Sequence, residues 1–106
     1  MARVVSIATD LMLASKVEAT LTAAGHQVIL ASSVEDASVA EAELVVADLD
    51  AADAEALASL EPPVLGYYSH VDVETRKAAE AAGVDLVVPR SRMARELPAL
   101  AERLLS

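Results

Sequence analysis

The chain contains no cysteine, phenylalanine or tryptophan, and only two tyrosines, three glycines and two histidines among its 106 residues. Without cysteine there can be no disulfide and no thiolate-bound metal, and the redox compartment is left open. His26 and His70 are too few for a histidine-rich metal site. With aromatics at 2%, the core must be built from Val, Leu, Ile and Ala, as in parallel strands buried between helices. Positive charge is scarce too. Eight basic against seventeen acidic residues give a net charge of −9, a field that repels phosphate backbones and argues against a nucleic-acid partner. No long hydrophobic run occurs either. The apolar stretch Val4 to Ala8 is far shorter than a bilayer span and lacks a signal-peptide cleavage pattern. The expectation is a cytoplasmic protein without a membrane partner.

What the chain does have is apolar residues, at 55%, arranged in five short runs: Arg3 to Ala8, Gln27 to Ala31, Leu44 to Ala47, Val64 to Tyr68 and Asp85 to Val88. Most of these runs do not alternate polar with apolar, so they predict strands buried on both faces. Segments of helical character separate them. Leu13, Val17, Leu21 and Ala24 form one stripe at helical spacing, with Asp10 as N-cap and Gly25 just beyond the end. A second helix carries Val34, Ala37, Val39 and Ala40 behind Ser33. A third presents Ala54, Leu57 and Leu60, starts at Asp50 or Asp53 and ends at Glu61-Pro62-Pro63. The fourth runs from about Val71 to Ala82, with Ser69 or Asp72 at its start and Gly83 after it. In the fifth, Met93, Leu97, Leu100 and Leu104 make the stripe, and Pro98 predicts either a break after Ala94 or a restarted helix.

Strands alternating with helices predict a three-layer α/β/α domain over residues 1–106, its parallel sheet joined by right-handed crossovers. Strand order 2-1-3-4-5 is the common solution, with the third run central and a ligand crevice at the carboxyl ends of strands 1 and 3. That edge gathers Asp10, Asp48, Asp50, Ser69, His70 and Arg90. Converging carboxylates there, Asp10 and Asp48 among them, are the donor type for a hard divalent cation. A cation so held would neutralise a phosphoryl oxygen under attack by a carboxylate.

The order of elements, the segment Glu43-Leu44-Val45-Val46-Ala47-Asp48-Leu49, Pro63-Val64-Leu65 and Ala81-Ala82-Gly83 resemble the receiver domain of bacterial response regulators, a flavodoxin-like fold. The resemblance covers nearly the whole chain. It implies that Asp48 stands where the family's phosphoacceptor does, and Asp10 where one of its magnesium-binding acids does. The departures are specific. Thr9 occupies the place of the second acid, and Tyr68 aligns with the switch hydroxyl, leaving Ser69 one place late. Val88-Pro89-Arg90 replaces the usual Lys-Pro, so the lysine is missing and Arg90 brings a guanidinium one residue later. The pattern resembles a pseudo-receiver, a signalling or scaffolding module that binds another protein, with an authentic magnesium-dependent phosphoacceptor at Asp48 as the alternative.

Each of these residues also has a structural reading. Asp10 is a good N-cap, Asp48 and Asp50 suit a strand end, and Ser69 suits the cap of the fourth helix. Arg90 is placed to pair with Asp48 or Asp10 and close the crevice. Tyr67 and Tyr68 point to opposite helical layers as core residues, or else form a partner surface with His70 and Arg90. By analogy with receivers, that surface comprises the fourth helix, fifth strand and fifth helix, and homodimerisation through it is compatible with the sequence. His26 reads as a turn residue before the second strand and His70 as an exposed loop residue. A dinucleotide site is disfavoured because Ala8-Thr9-Asp10-Leu11-Met12 has no glycine to let a pyrophosphate approach. No nucleophile elbow or nucleophile–histidine arrangement points to an enzyme.

Overall fold

The computed structural model describes residues 2–69 and 72–106. Five strands, β1 (Arg3–Ile7), β2 (Gln27–Ala31), β3 (Leu44–Asp48), β4 (Val64–Tyr68) and β5 (Leu86–Pro89), form one all-parallel sheet in the order β2-β1-β3-β4-β5. The connections hold α1 (Leu11–Ala23), a 3-10 helix (Ala37–Glu41), α2 (Ala54–Ala58), α3 (Val73–Ala82) and α4 (Arg90–Leu105). Strand order and class are those predicted. The third strand is central and buried at every position.

Alternation along the strands divides the core into two layers. Val4, Leu44, Val46, Leu65, Tyr67 and Val88 pack beneath α1 and α4. Val5, Val45, Ala47, Val64 and Tyr68 face the opposite layer, with Leu57 of α2, Ala79 of α3 and Val39 of the 3-10 helix. Gly66 lies in this second layer, where a Cβ would come within 2.9 Å of Leu49 Cδ2. Glycine is therefore what lets the chain after β3 fold back against β4.

Local chemistry fixes most helix ends. Asp10 caps α1 by accepting from Met12 N and Leu13 N. Gly25 (φ 95°) and Gly83 (φ 99°) take the left-handed conformation that ends α1 and α3. Asp53 caps α2 and Asp72 caps α3.

Two expectations need correction, and one is narrowed. The second helix is no α-helix but five residues of 3-10 helix, capped by Asp36 rather than Ser33. Its short, β-branched segment has too few apolar positions to sustain a helical stripe, and Asp36 accepting from Ser38 N starts the turn late. The fourth helix starts at Val73 under Asp72, one of its two expected caps, and Val71 lies outside the described residues. The fifth does not break at Pro98: α4 is continuous. An interior proline costs about 3 kcal/mol, while burying each of Met93, Leu97 and Leu100 gains roughly 1.5–3 kcal/mol. Those side chains flank the proline on both sides, and Pro98 itself faces solvent. Tertiary packing outweighs the local penalty.

His26 occupies the turn before β2, as expected. It is buried there, and its Nδ1 accepts from Ala2 N at 3.2 Å. Its Nε2 lies 3.8 Å from Glu102 on α4. The residue tightens the junction of β1, β2 and the last helix rather than decorating a loop.

Candidate functional site

The carboxyl ends of β3, β4 and β5 build the crevice. Asp48 is the last residue of β3. It lies two positions beyond Val46 and so shares the face covered by α1 and α4. Although charged, Asp48 is only 2% exposed. Its Oδ1 accepts from Asp50 N at 2.9 Å, a turn contact that fixes the carboxylate plane. Its Oδ2 faces Arg90 Nη2 at 3.4 Å. Arg90 Nη2 is also 3.9 Å from Asp50 Oδ2.

The position of Arg90 explains the pairing. Strand β5 passes into α4 without an intervening loop, so Arg90 is the first residue of that helix. A cation there opposes the helix dipole, and no acidic residue in the first turn offsets it. Asp48 and Asp50 supply the missing negative charge from the neighbouring strand end.

Tyr67 stands beside Asp48 in the β3–β4 register. The residue is fully buried, and its hydroxyl has no hydrogen-bond partner among the described residues. Burial, reinforced by the Asp48 charge, pushes the phenol well above its ordinary 10.0; Arg90 counteracts this in part and Asp10 adds to it. Asp10, Asp48 and Arg90 therefore all act electrostatically on that one buried phenol. The sequence left Tyr67 between a core layer and a partner surface and gave no sign of an unpaired hydroxyl.

Of the predicted site residues, the structure brings Asp48, Asp50 and Arg90 into direct contact. Asp10 contributes its field to Tyr67 but spends a carboxylate oxygen on capping α1. Ser69 makes a turn, its carbonyl accepting from Asp72 N at 2.8 Å. His70 lies outside the described residues. Tyr67 and Tyr68 are 0% and 7% exposed and cannot form a partner surface. β4 lies inside the sheet with a helical layer on each face, so each ring goes into one of the two core layers, as their opposite orientation predicts. Among the described residues, no cluster of three or more acidic or histidine side chains is placed to hold a metal ion. The donors around Asp48 do not fit magnesium as they stand: a guanidinium covers one oxygen and a backbone N–H the other, so a cation would have to displace Arg90.

The sheet order and helical layers define a receiver-type α/β fold. No family model matches the sequence, and no curated protein matches it. Solved structures do. NtrX from Brucella abortus superposes with a TM-score of 0.82 at 22% identity, over 98% of this chain and 27% of that one. The chain thus spans about a quarter of NtrX. A response regulator receiver domain protein from Clostridium thermocellum gives 0.81 at 15% identity, covering 99% and 94%. HP1043, an orphan response regulator of H. pylori, gives 0.77 at 21% identity, covering 99% and 97%. The fold is that of response-regulator receiver domains. No helix among the described residues is long and apolar enough to cross a membrane.

Proposed function

We propose that this chain is a receiver-fold signalling module of one domain that works by binding a protein partner, with phosphotransfer at Asp48 replaced by an internal ion pair. The observation that carries this reading is the Arg90–Asp48 contact at 3.4 Å on a carboxylate that is itself buried. A phosphoacceptor must present a free oxygen to phosphorus and share a cation with it. Here the fold supplies its own cation, covalently fixed at the start of α4. The expected partner face is α3, β5 and α4, offered by Val73 and Arg95 on the surface rather than by the tyrosines. That assignment follows receivers by analogy, since a fold hosts many functions.

The test is amide NMR of the intact chain titrated with magnesium and beryllium fluoride. The expected result is no saturable response centred on Asp48, with partner binding unchanged in Asp48→Asn. An Asp48-dependent shift would establish the alternative, a working phosphoacceptor with Asp10 as metal ligand and Arg90 in the lysine's role.

A further inference from the structure

A second concavity lies apart from the Asp48 crevice, at the carboxyl ends of β1 and β2 beside the first turns of α1. It encloses about 320 Å³, at the small end of the range for ligand pockets. Leu11, Ala14, Leu30 and Ala31 form its apolar walls, and the alanines leave the space open. Leu11 is 77% and Leu30 47% exposed, so large apolar side chains stand at its lips in water.

Its inner surface includes Ser6. This residue is 1% exposed, and its Oγ has no hydrogen-bond partner among the described residues. A buried unpaired hydroxyl is costly, and a group entering the groove can meet it. That separates the groove from a flat docking patch, which would cover the leucines and never reach the serine.

Charge selects the ligand class. Three first-turn donors of α1 are already used, Met12 N and Leu13 N by the Asp10 carboxylate and Ala14 N by its carbonyl. An anion in the groove would meet the Asp36 carboxylate on its wall. Asp36, on the groove wall, accepts from both Ser38 N and Ser38 Oγ, which hold its carboxyl below the usual range and keep it charged. We infer that this groove binds a small organic amine, its apolar body between Leu11 and Leu30, its cation toward Asp36 and a hydrogen-bonding edge at Ser6.

Tyramine, whose phenol supplies the hydrogen-bonding edge, and its anionic isostere 3-(4-hydroxyphenyl)propionate, each titrated into the intact chain and followed by amide NMR, test this. The amine is expected to saturate shifts at Ser6, Leu11, Ala31 and Asp36, and the carboxylate to give none. Ser6→Ala is expected to weaken the amine roughly fivefold, the worth of one neutral hydrogen bond. It should also raise the melting temperature, because it removes an unpaired hydroxyl. Asp36→Asn provides a second, surface variant that leaves the core untouched and should weaken the amine likewise. No saturable shift, or equal shifts with the carboxylate, would overturn the inference. So would shifts confined to Leu11 and Met12 that are unchanged in Ser6→Ala, which would mark the leucines as a docking patch for another protein. None of these outcomes depends on Asp48, so this site stands or falls separately from the proposed function.

Discussion

Removing the Arg90 guanidinium tests how much of the crevice is held by one contact. At 3.4 Å, two unit charges attract by roughly 5 kcal/mol at an effective dielectric constant near 20. That figure is gross and must be reduced. The Arg90 side chain is 38% exposed, so water screens it, whereas Asp48 is 3% exposed and cannot be rehydrated without movement. Fully exposed pairs contribute about 0–1 kcal/mol; stripping the partner from a fully buried charge costs about 3–5 kcal/mol. A pair with one buried and one half-exposed member falls between, and Arg90→Ala is expected to destabilise by about 1–2 kcal/mol. Asp48→Asn should cost less than about 1 kcal/mol. Its amide oxygen keeps the Asp50 N–H bond, and Arg90 can turn toward Asp50 Oδ2, already 3.9 Å away.

The double mutant separates the pair from its surroundings. Equilibrium urea unfolding of the wild type, both single variants and Arg90→Ala/Asp48→Asn, at neutral pH with EDTA, should give a coupling energy of about 1 kcal/mol. Ten millimolar magnesium should then restore the Arg90→Ala variant by roughly 1.4 kcal/mol if the freed carboxylate binds the cation with a dissociation constant of about 1 mM. It should leave the double mutant unmoved. A coupling energy indistinguishable from zero would refute the reasoning, because Asp48 would then owe nothing to Arg90.

Two further perturbations probe the frame around the crevice. Gly66→Ala should destabilise by about 1–3 kcal/mol, because its Cβ would meet Leu49 Cδ2 at 2.9 Å with Leu49 Cγ at 3.1 Å and Cδ1 at 3.2 Å; urea midpoints equal to wild type would show that Leu49 yields freely. The Tyr67 phenol, raised above the unfolded value of 10.0 by burial and the Asp48 charge, contributes stability that is complete below pH 10 and is lost as pH rises beyond it. Absorbance at 295 nm should therefore show tyrosinate from Tyr67 appearing only together with alkaline unfolding, and Tyr67→Phe should move the unfolding edge to higher pH. Ionisation of Tyr67 in a still-folded protein would contradict its burial.

The sheet was legible in the sequence because buried parallel strands announce themselves: uninterrupted runs such as Leu44-Val45-Val46-Ala47 have few alternatives, and Asp10, Gly25 and Gly83 mark helix ends by chemistry that acts locally. The errors lie where distant packing decides. Nothing within the α4 segment shows that Met93, Leu97 and Leu100 would carry a helix unbroken through a proline, and nothing near His26 shows that Ala2 N would reach its ring. Asp48, Asp50 and Arg90 could be gathered at one sheet edge from topology alone. The pairing between Asp48 and Arg90 was foreseeable as chemistry, but its distance depends on β5 entering α4 without a loop. Ser6 gave no signal. It reads as one polar residue within an apolar strand, and only the gap left by Ala14 and Ala31 makes its hydroxyl a feature.

The arginine differs from a lysine at the end of β5 in a way that bears on switching. A lysine is a compact charge on a flexible stem and can follow a ligand oxygen; a guanidinium is a planar fork that holds its geometry. Arg90 adds a second constraint, since it begins a helix whose dipole disfavours it and whose core residues fix its backbone. Releasing Asp48 would leave that cation at the helix start with only Asp50, at 3.9 Å and exposed, for compensation. The open state is thus penalised twice, once at the buried carboxylate and once at the helix end. A ligand that displaced Arg90 would have to outbid both, by differential affinity for the open crevice. The same reasoning makes Asp50 the residue whose removal should bind Arg90 more exclusively to Asp48 and lock the crevice further.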